Sequence, residues 1–232
     1  VQTCALPIYG RLYAFNVADG SKLWGIDHGS SSLALGTSSS PVAYNQLILA
    51  GFSDGKLDAI DRDTGRVAWQ RSMGYISGSS DVDRLVDIST DPLVRGNTVY
   101  LASYQGYLVS MSLRQGEITW SKPASTYRNL AVDGSQLYMT DTKDIVWAFN
   151  NESGQVQWKQ PALAARGVTG PILMGRYIVV GDKLGVLHVI DGWRGTLVGR
   201  RNLGSAIIAS PIPDSTDAKR FYVMTAKGQL YS

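Results

Sequence analysis

Residues able to do chemistry are few in this chain. His28 and His188 are its only imidazoles, Cys4 its only thiol, and Ser38–Ser40 a triple serine just before a strand-like run. Covalent catalysis needs a hydroxyl or thiol beside a base that a third group orients. Neither histidine has such an arrangement in sequence, and the serines precede a strand-like run with no base nearby. His188 falls within an alternating strand and is expected to pack between sheets. The segment DRDTG at 61–65 resembles the start of a calcium loop, but loop position twelve, where a Glu would complete the site, is Ser72. It reads as a strand–strand turn. No HExxH, CxxC or GxxxxGK[ST] motif occurs. No catalytic residue, metal ligand or cofactor is expected.

What the chain does carry is a motif repeated five times. GRLYAFNVADGSKLW starts at Gly10, GKLDAIDRDTGRVAW at Gly55, GYLVSMSLRQGEITW at Gly106, DIVWAFNNESGQVQW at Asp144 and GVLHVIDGWRGTLVG at Gly185. A shorter sixth copy, GQLYS, starts at Gly228. The starts are 45, 51, 38, 41 and 43 residues apart, a period that belongs to propellers and solenoids. A second glycine recurs at offset ten: Gly20, Gly65, Gly116, Gly154 and Gly195. A tryptophan recurs at offset fourteen: Trp24, Trp69, Trp120 and Trp158, with Gly199 in the fifth copy.

Each copy reads as two short strands about a glycine turn. Most copies follow another strand pair, four of which open on Pro41, Pro92, Pro171 and Pro211, where proline costs no ladder bond. One unit is then four antiparallel strands. With no helical period in sight, radial stacking of such sheets is expected: an all-β fold, a β-propeller of four-stranded antiparallel blades, here five to six of them. Residues 1–8, VQTCALPI, match no part of the repeat and are expected to be a foreign leader. Residues 9–232 are expected to form one propeller domain: a partial blade at 9–27, whole blades at about 38–73, 89–122, 128–160 and 169–203, and a last partial blade at 208–232. The repeat Trp and Gly residues are expected to be scaffold, each ring covering the gap to the next blade and contributing about 2–3 kcal/mol by burial.

Composition fits many turns and modest charge: 44% apolar, 18% charged and 25 glycines in 232 residues. The net charge of +3 is too small and too dispersed to point to nucleic acid. No run of 18 apolar residues occurs.

Function is expected in loop length. From Trp158 to Pro171 is 13 residues and from Gly199 to Pro211 is 12, but from Trp24 to Pro41 is 17 and from Trp69 to Pro92 is 23. The two long linkers are consecutive, and in a propeller they emerge on one face. The first carries Leu33, Leu35 and Gly36. The second carries Asp81, Asp83, Arg84, Leu85, Asp87 and Ser89. Leucines beside an acidic cluster fit a protein-docking patch on a rigid scaffold.

The segment AIDRDTGRVAW resembles the blade motif of pyrroloquinoline-quinone dehydrogenase propellers. SGSSDVDRLVDISTDPLV, followed by VYLASYQGYLVSMSLRQGEITW, resembles the corresponding stretch of the BamB family, the PQQ-like repeat propeller lipoproteins of the outer-membrane β-barrel assembly (Bam) machinery. The likeness runs from about Tyr9 to Ser232. It implies an eight-bladed parent with a signal peptide and a lipidated cysteine, so about three blades and the anchor would lie N-terminal to this chain. It implies a non-enzymatic scaffold at the periplasmic face of the outer membrane, joined to the membrane only through that anchor. The implied partners are the POTRA domains of BamA, the Bam complex and nascent outer-membrane proteins, with no nucleic acid and no cofactor. The family's contact residues fall on Leu33, Leu35 and Asp87. Gly36 stands where the family has an Arg and Ser89 where it has a second Asp, so the charged part of the contact is expected to differ. The competing readings are a fragment of a PQQ-dependent dehydrogenase and a sensor propeller of the same repeat class. Against the first, the vicinal disulfide of those enzymes cannot form with Cys4 alone.

Overall fold

A computed structural model describes residues 10–29, 39–52, 54–73, 88–217 and 219–232. All its regular elements are strands. The first sheet pairs β1 (Arg11–Phe15) with β2 (Lys22–Asp27). The second runs in order β3 (Val42–Tyr44), β4 (Leu47–Gly51), β5 (Lys56–Asp61) and β6 (Val67–Ser72). The third contains β7 (Leu93–Arg95), β8 (Thr98–Ala102), β9 (Gly106–Ser112) and β10 (Ile118–Ala124). The fourth contains β11 (Ala131–Asp133), β12 (Gln136–Thr140), β13 (Val146–Asn150) and β14 (Val156–Gln160). The fifth contains β15 (Ile172–Met174), β16 (Tyr177–Gly181), β17 (Val186–Asp191) and β18 (Leu197–Asn202). The last has three strands, β19 (Ile212–Pro213), β20 (Phe221–Met224) and β21 (Leu230–Tyr231). Every pairing is antiparallel between sequence neighbours, so each repeat is one meandering blade, as the period predicts. The four prolines stand immediately before β3, β7, β15 and β19. The chain divides into two compact units, Val1–Tyr127 and Arg128–Ser232.

Within a blade, the inner strands are buried on both faces, as in β4, β8, β12 and β16, while the fourth strand is largely exposed. The first two strands join through two-residue turns whose first residue has positive φ: Asn45, Gly96, Gly134 and Gly175. Between the third and fourth strands a side chain caps the turn. Asn16, Asp61, Asn150 and Asp191 each accept backbone N–H groups two or three residues on through a side-chain oxygen. The calcium-like DRDTG segment is therefore a turn: the chain's own donors, Asp63 N, Thr64 N and Thr64 Oγ1, use Asp61 Oδ1. These bonds also hold the Asp61 carboxyl below its ordinary pKa, the Thr64 hydroxyl first among them.

The two recurrent residues of the motif meet across blades. In the first unit, Trp24 on β2 donates from Nε1 to Arg62 O at 3.0 Å, and Trp69 on β6 donates to Leu113 O at 2.9 Å. In the second, Trp158 on β14 donates to Gly192 O at 2.7 Å. Each ring lies on the offset-ten glycine of the following blade. A Cβ at Gly65 would sit 2.6 Å from Trp24 Cγ, at Gly116 2.6 Å from Trp69 Cε3, and at Gly195 2.5 Å from Trp158 Cδ2. That glycine is needed twice, for a positive φ and for a bare surface under the ring. Opposite each of Trp24, Trp69 and Trp158 the third strand carries an alanine, Ala14, Ala59 or Ala148, next to a register shift that twists the outer strand. Trp120 on β10 is half-buried, with its ring 6.3 Å from that of Tyr100.

Candidate functional site

Three places in the fold gather polar chemistry: the ends of the two long linkers, a trio of side chains recurring from blade to blade, and a cleft against β18.

The long linkers belong to the first unit, and their described ends come together. The first leaves the outer strand at His28, whose N–H donates to Gly10 O. It re-enters at Ser39 and Ser40. The second leaves at Met73, whose N–H donates to Gly55 O at 2.7 Å, and re-enters at Ile88. The re-entry points meet: Ser40 N donates to Asp91 Oδ1, and Ile88 and Ser39 both close on Gly51, where an added Cβ would meet Ile88 Cγ2 at 2.5 Å. Ile88 also bridges Ser103 of the third blade. Ser89 is buried, with 6% of the residue exposed. The other predicted docking residues, Leu33, Leu35, Gly36, Asp81, Asp83, Arg84, Leu85 and Asp87, lie outside the described residues.

The trio combines a basic residue from the preceding linker, a residue three before the motif's opening position, and one three after it. In the second blade these are His28, Phe52 and Asp58. The His28 ring stacks on Phe52 at 3.9 Å, its Nε2 lies 2.7 Å from Asp58 Oδ2 and its Nδ1 3.2 Å from Asp54 Oδ2. Asp58 is fully buried, and its other oxygen accepts from Gln70 Nε2 at 2.9 Å. Burial pushes the Asp54 carboxyl up, but bonds from Lys56 and His28 outweigh it and leave the group below its ordinary value.

In the fourth blade the trio is Arg128, Asp141 and Trp147. Arg128 donates to Asp141 O at 2.6 Å and pairs with Asp144 at 2.7 Å, while Trp147 donates to Asp141 Oδ2 at 2.8 Å. Asp144 stands where other copies have glycine and keeps the glycine-like φ of 65°. Its carboxylate explains the exception, because it accepts from Gly167 N and Val168 N as well as Arg128.

In the fifth blade the trio is Arg166, Asp182 and His188. Arg166 Nη2 lies 2.6 Å and His188 Nε2 2.8 Å from Asp182 Oδ2, and the other Asp182 oxygen accepts from Leu184 N and Val186 N. Burial alone would raise the Asp182 pKa, but the bonds from His188, Val186 and Arg166 hold it below the usual carboxylate range.

Each histidine thus has a carboxylate partner, which sequence reading did not find. The partners lie 6 to 30 residues away, Asp182 and Asp54 on the turns before β17 and β5 and Asp58 on β5 itself. The available signal was the equal placement of His28 before Gly29 and Arg166 before Gly167, both glycines with positive φ. A carboxylate orients an imidazole but supplies no nucleophile, and no hydroxyl or thiol is bonded to either ring among the described residues. Gly51–Gly55 spells G-x-S-x-G, the pattern of a hydrolase nucleophile elbow. Here it joins antiparallel β4 to β5, whereas the elbow turns from a strand into a helix. No cluster of three or more His, Cys, Asp or Glu placed to hold a metal occurs among the described residues.

The cleft lies in the second unit. It has a volume of about 740 Å³ and is lined by Leu163 and Arg166 of the β14–β15 linker, Val186 and His188 of β17, and Leu197 and Arg200 of β18, among others.

Comparison with known proteins decides the family. The family model described as "Outer membrane protein assembly factor BamB" matches residues 5–160. The chain belongs to the BamB family. A curated relative of that name from Legionella pneumophila (strain Paris) is 48% identical over 204 residues, covering 88% of this chain and 52% of the relative. The crystal structure of BamB from Moraxella catarrhalis superposes with a TM-score of 0.86 at 28% identity, covering 96% of this chain and 66% of that one. The sheets are therefore blades of a β-propeller with PQQ-like repeats. A europium-containing methanol dehydrogenase shares the fold, with a TM-score of 0.69 at 15% identity over 89% of this chain and 49% of that one. The chain spans about half the length of the curated relatives it matches. The family match starts at residue 5, inside the segment expected to be foreign.

Proposed function

We propose that this chain is part of a non-catalytic scaffold that docks on the POTRA domains of BamA and supports folding and insertion of outer-membrane β-barrels. The observation that carries this reading is the family match over residues 5–160, which contains both long linkers. The meeting of the linker re-entry points at Gly51 supports it, because it lets two loops act as one surface held by rigid blades. Leu33 and Leu35 supply the apolar anchor and Asp87 the charge, with Asp81, Asp83, Arg84 and Leu85 around them. Gly36 and Ser89 belong to the same contact and bring no charge to it. The scaffold works at the periplasmic face of the outer membrane, within the Bam complex and held by a lipid anchor on the intact protein.

The test is a binding measurement between the purified protein and isolated POTRA domains. Leu33→Ala combined with Leu35→Ala is expected to weaken binding by about 2 kcal/mol or more, roughly thirtyfold in Kd. Unchanged affinity in the double variant would overturn the assignment of this patch.

A further inference from the structure

The blades differ at the trio. In the second blade His28 is stacked on Phe52 and bonded to two carboxylates. In the fifth blade Arg166 and His188 of the trio border the 740 Å³ cleft. One sequence change and one structural feature accompany this. Gly199 replaces the outer-strand tryptophan, and β18 is exposed along its whole length.

The chemistry of the cleft is asymmetric. Its floor is His188, with 6% of the residue exposed and one ring nitrogen committed to Asp182. A carboxylate oxygen can only accept, so Nε2 carries a proton, and in that tautomer Nδ1 is an acceptor. Among the described residues Nδ1 has no partner. Directly across the ladder from His188 stands Arg200, exposed and with no ion pair among the described residues. The remaining charges cancel, because Arg166 is paired with Asp182. Among the described residues the cleft therefore offers one free cation beside one buried acceptor; its other walls are the apolar Ala162, Leu163, Val186 and Leu197, with Gly199 and Asn202, whose Oδ1 accepts from Gly204 N.

We propose that this cleft is a binding site for a small organic acid with an apolar stem and an O–H or N–H donor next to its carboxylate. The carboxylate pairs with the Arg200 guanidinium, the adjacent donor bonds to His188 Nδ1, and the stem lies against Leu163, Val186 and Leu197. The volume falls in the range of small-molecule sites.

The probe is 2-hydroxy-4-methylpentanoate, titrated into the intact protein and followed by calorimetry and by the His188 ring resonances. It is expected to bind about tenfold more tightly than either 4-methylpentanoate, which lacks the donor, or 2-hydroxy-4-methylpentanamide, which lacks the charge. Arg200→Gln, at an exposed position, is expected to abolish the preference for acid over amide. His188→Gln is expected to abolish the preference for hydroxy acid over plain acid, and the circular dichroism of both variants checks that the blade is intact. Equal binding of the three compounds, or retention of both preferences in the variants, overturns the proposal. Tighter binding of the peptide acetyl-Leu-Asp-Leu-amide than of the free acid overturns the small-molecule assignment.

Discussion

Replacing Gly116 by alanine tests the central claim about the scaffold, that the repeat glycine and the preceding blade's tryptophan form one unit. Two costs combine. An alanine at φ +65° carries about 1–2 kcal/mol of backbone strain. Its Cβ would also lie 2.6 Å from Trp69 Cε3 and 2.8 Å from Cδ2. The ring cannot simply retreat, because its Nε1 is bonded to Leu113 O at 2.9 Å and only 8% of the residue is exposed. Overpacking of this kind adds about 1–3 kcal/mol, giving about 2–5 kcal/mol in all. Gly96→Ala is the control: φ is +59° with nothing within 4 Å, so it carries the backbone term alone. Trp69→Ala by itself costs about 3–5 kcal/mol as a cavity, but it clears the space above Gly116. In the double variant the overpacking vanishes, and the total falls short of the sum of the single costs by about 1–3 kcal/mol. Urea unfolding followed by far-UV circular dichroism gives all four values from shifts in midpoint at constant slope. Additive costs to within about 0.5 kcal/mol, or a Gly116→Ala cost no larger than that of Gly96→Ala, would refute the reasoning.

Two further predictions follow from the trios. Arg128→Met leaves the Asp144 carboxylate buried without its cation and is expected to lower stability by about 3 kcal/mol or more in a thermal melt. Adding Asp144→Gly, which restores the residue of the other copies, is expected to recover most of that loss; a double variant no more stable than Arg128→Met would be evidence against the pairing as the reason for Asp144. The second concerns pH. Asp182 has its folded pKa below that of the unfolded chain, so its contribution is fully present above the ordinary carboxylate pKa of about 4 and is lost as pH falls through the lower folded value. Asp182→Asn is therefore expected to be less stable near neutrality and to show a flatter decline of stability in acid, measured as midpoint against pH. An acid limb as steep as that of the unsubstituted protein would contradict this.

Much of the fold was legible in the sequence because it depends on short-range features. Pro41, Pro92, Pro171 and Pro211 mark the start of a blade since each lacks an N–H to give a ladder. Asp61 and its counterparts mark the hairpin turn since their side chains bond within three residues. The offset-ten glycines mark the positive φ of that turn. The family likeness was legible for the same reason: a repeated motif with one unusually long, distinctive linker is a local pattern.

The trios were not legible, because each one joins a linker, a turn and a strand. Nothing near His188 in the chain says that it will share Asp182 with Arg166, or that Asp144 is allowed a positive φ by an arginine 16 residues earlier. The same limit applied to Ser89, which looks like one more polar loop residue until the blade folds and buries it. Sequence alone determined that this chain is a series of four-stranded blades bearing glycine and tryptophan at fixed offsets. Only tertiary structure decided that the rings of Trp24, Trp69 and Trp158 seat on the next blade's glycine, that the re-entry points of the two long linkers meet at Gly51, and that a cleft opens beside the trio of the fifth blade. Strand and turn signals act over a few residues and are written in composition. Packing between blades depends on which side chains face one another across a gap, and that is set only when the sheets stack.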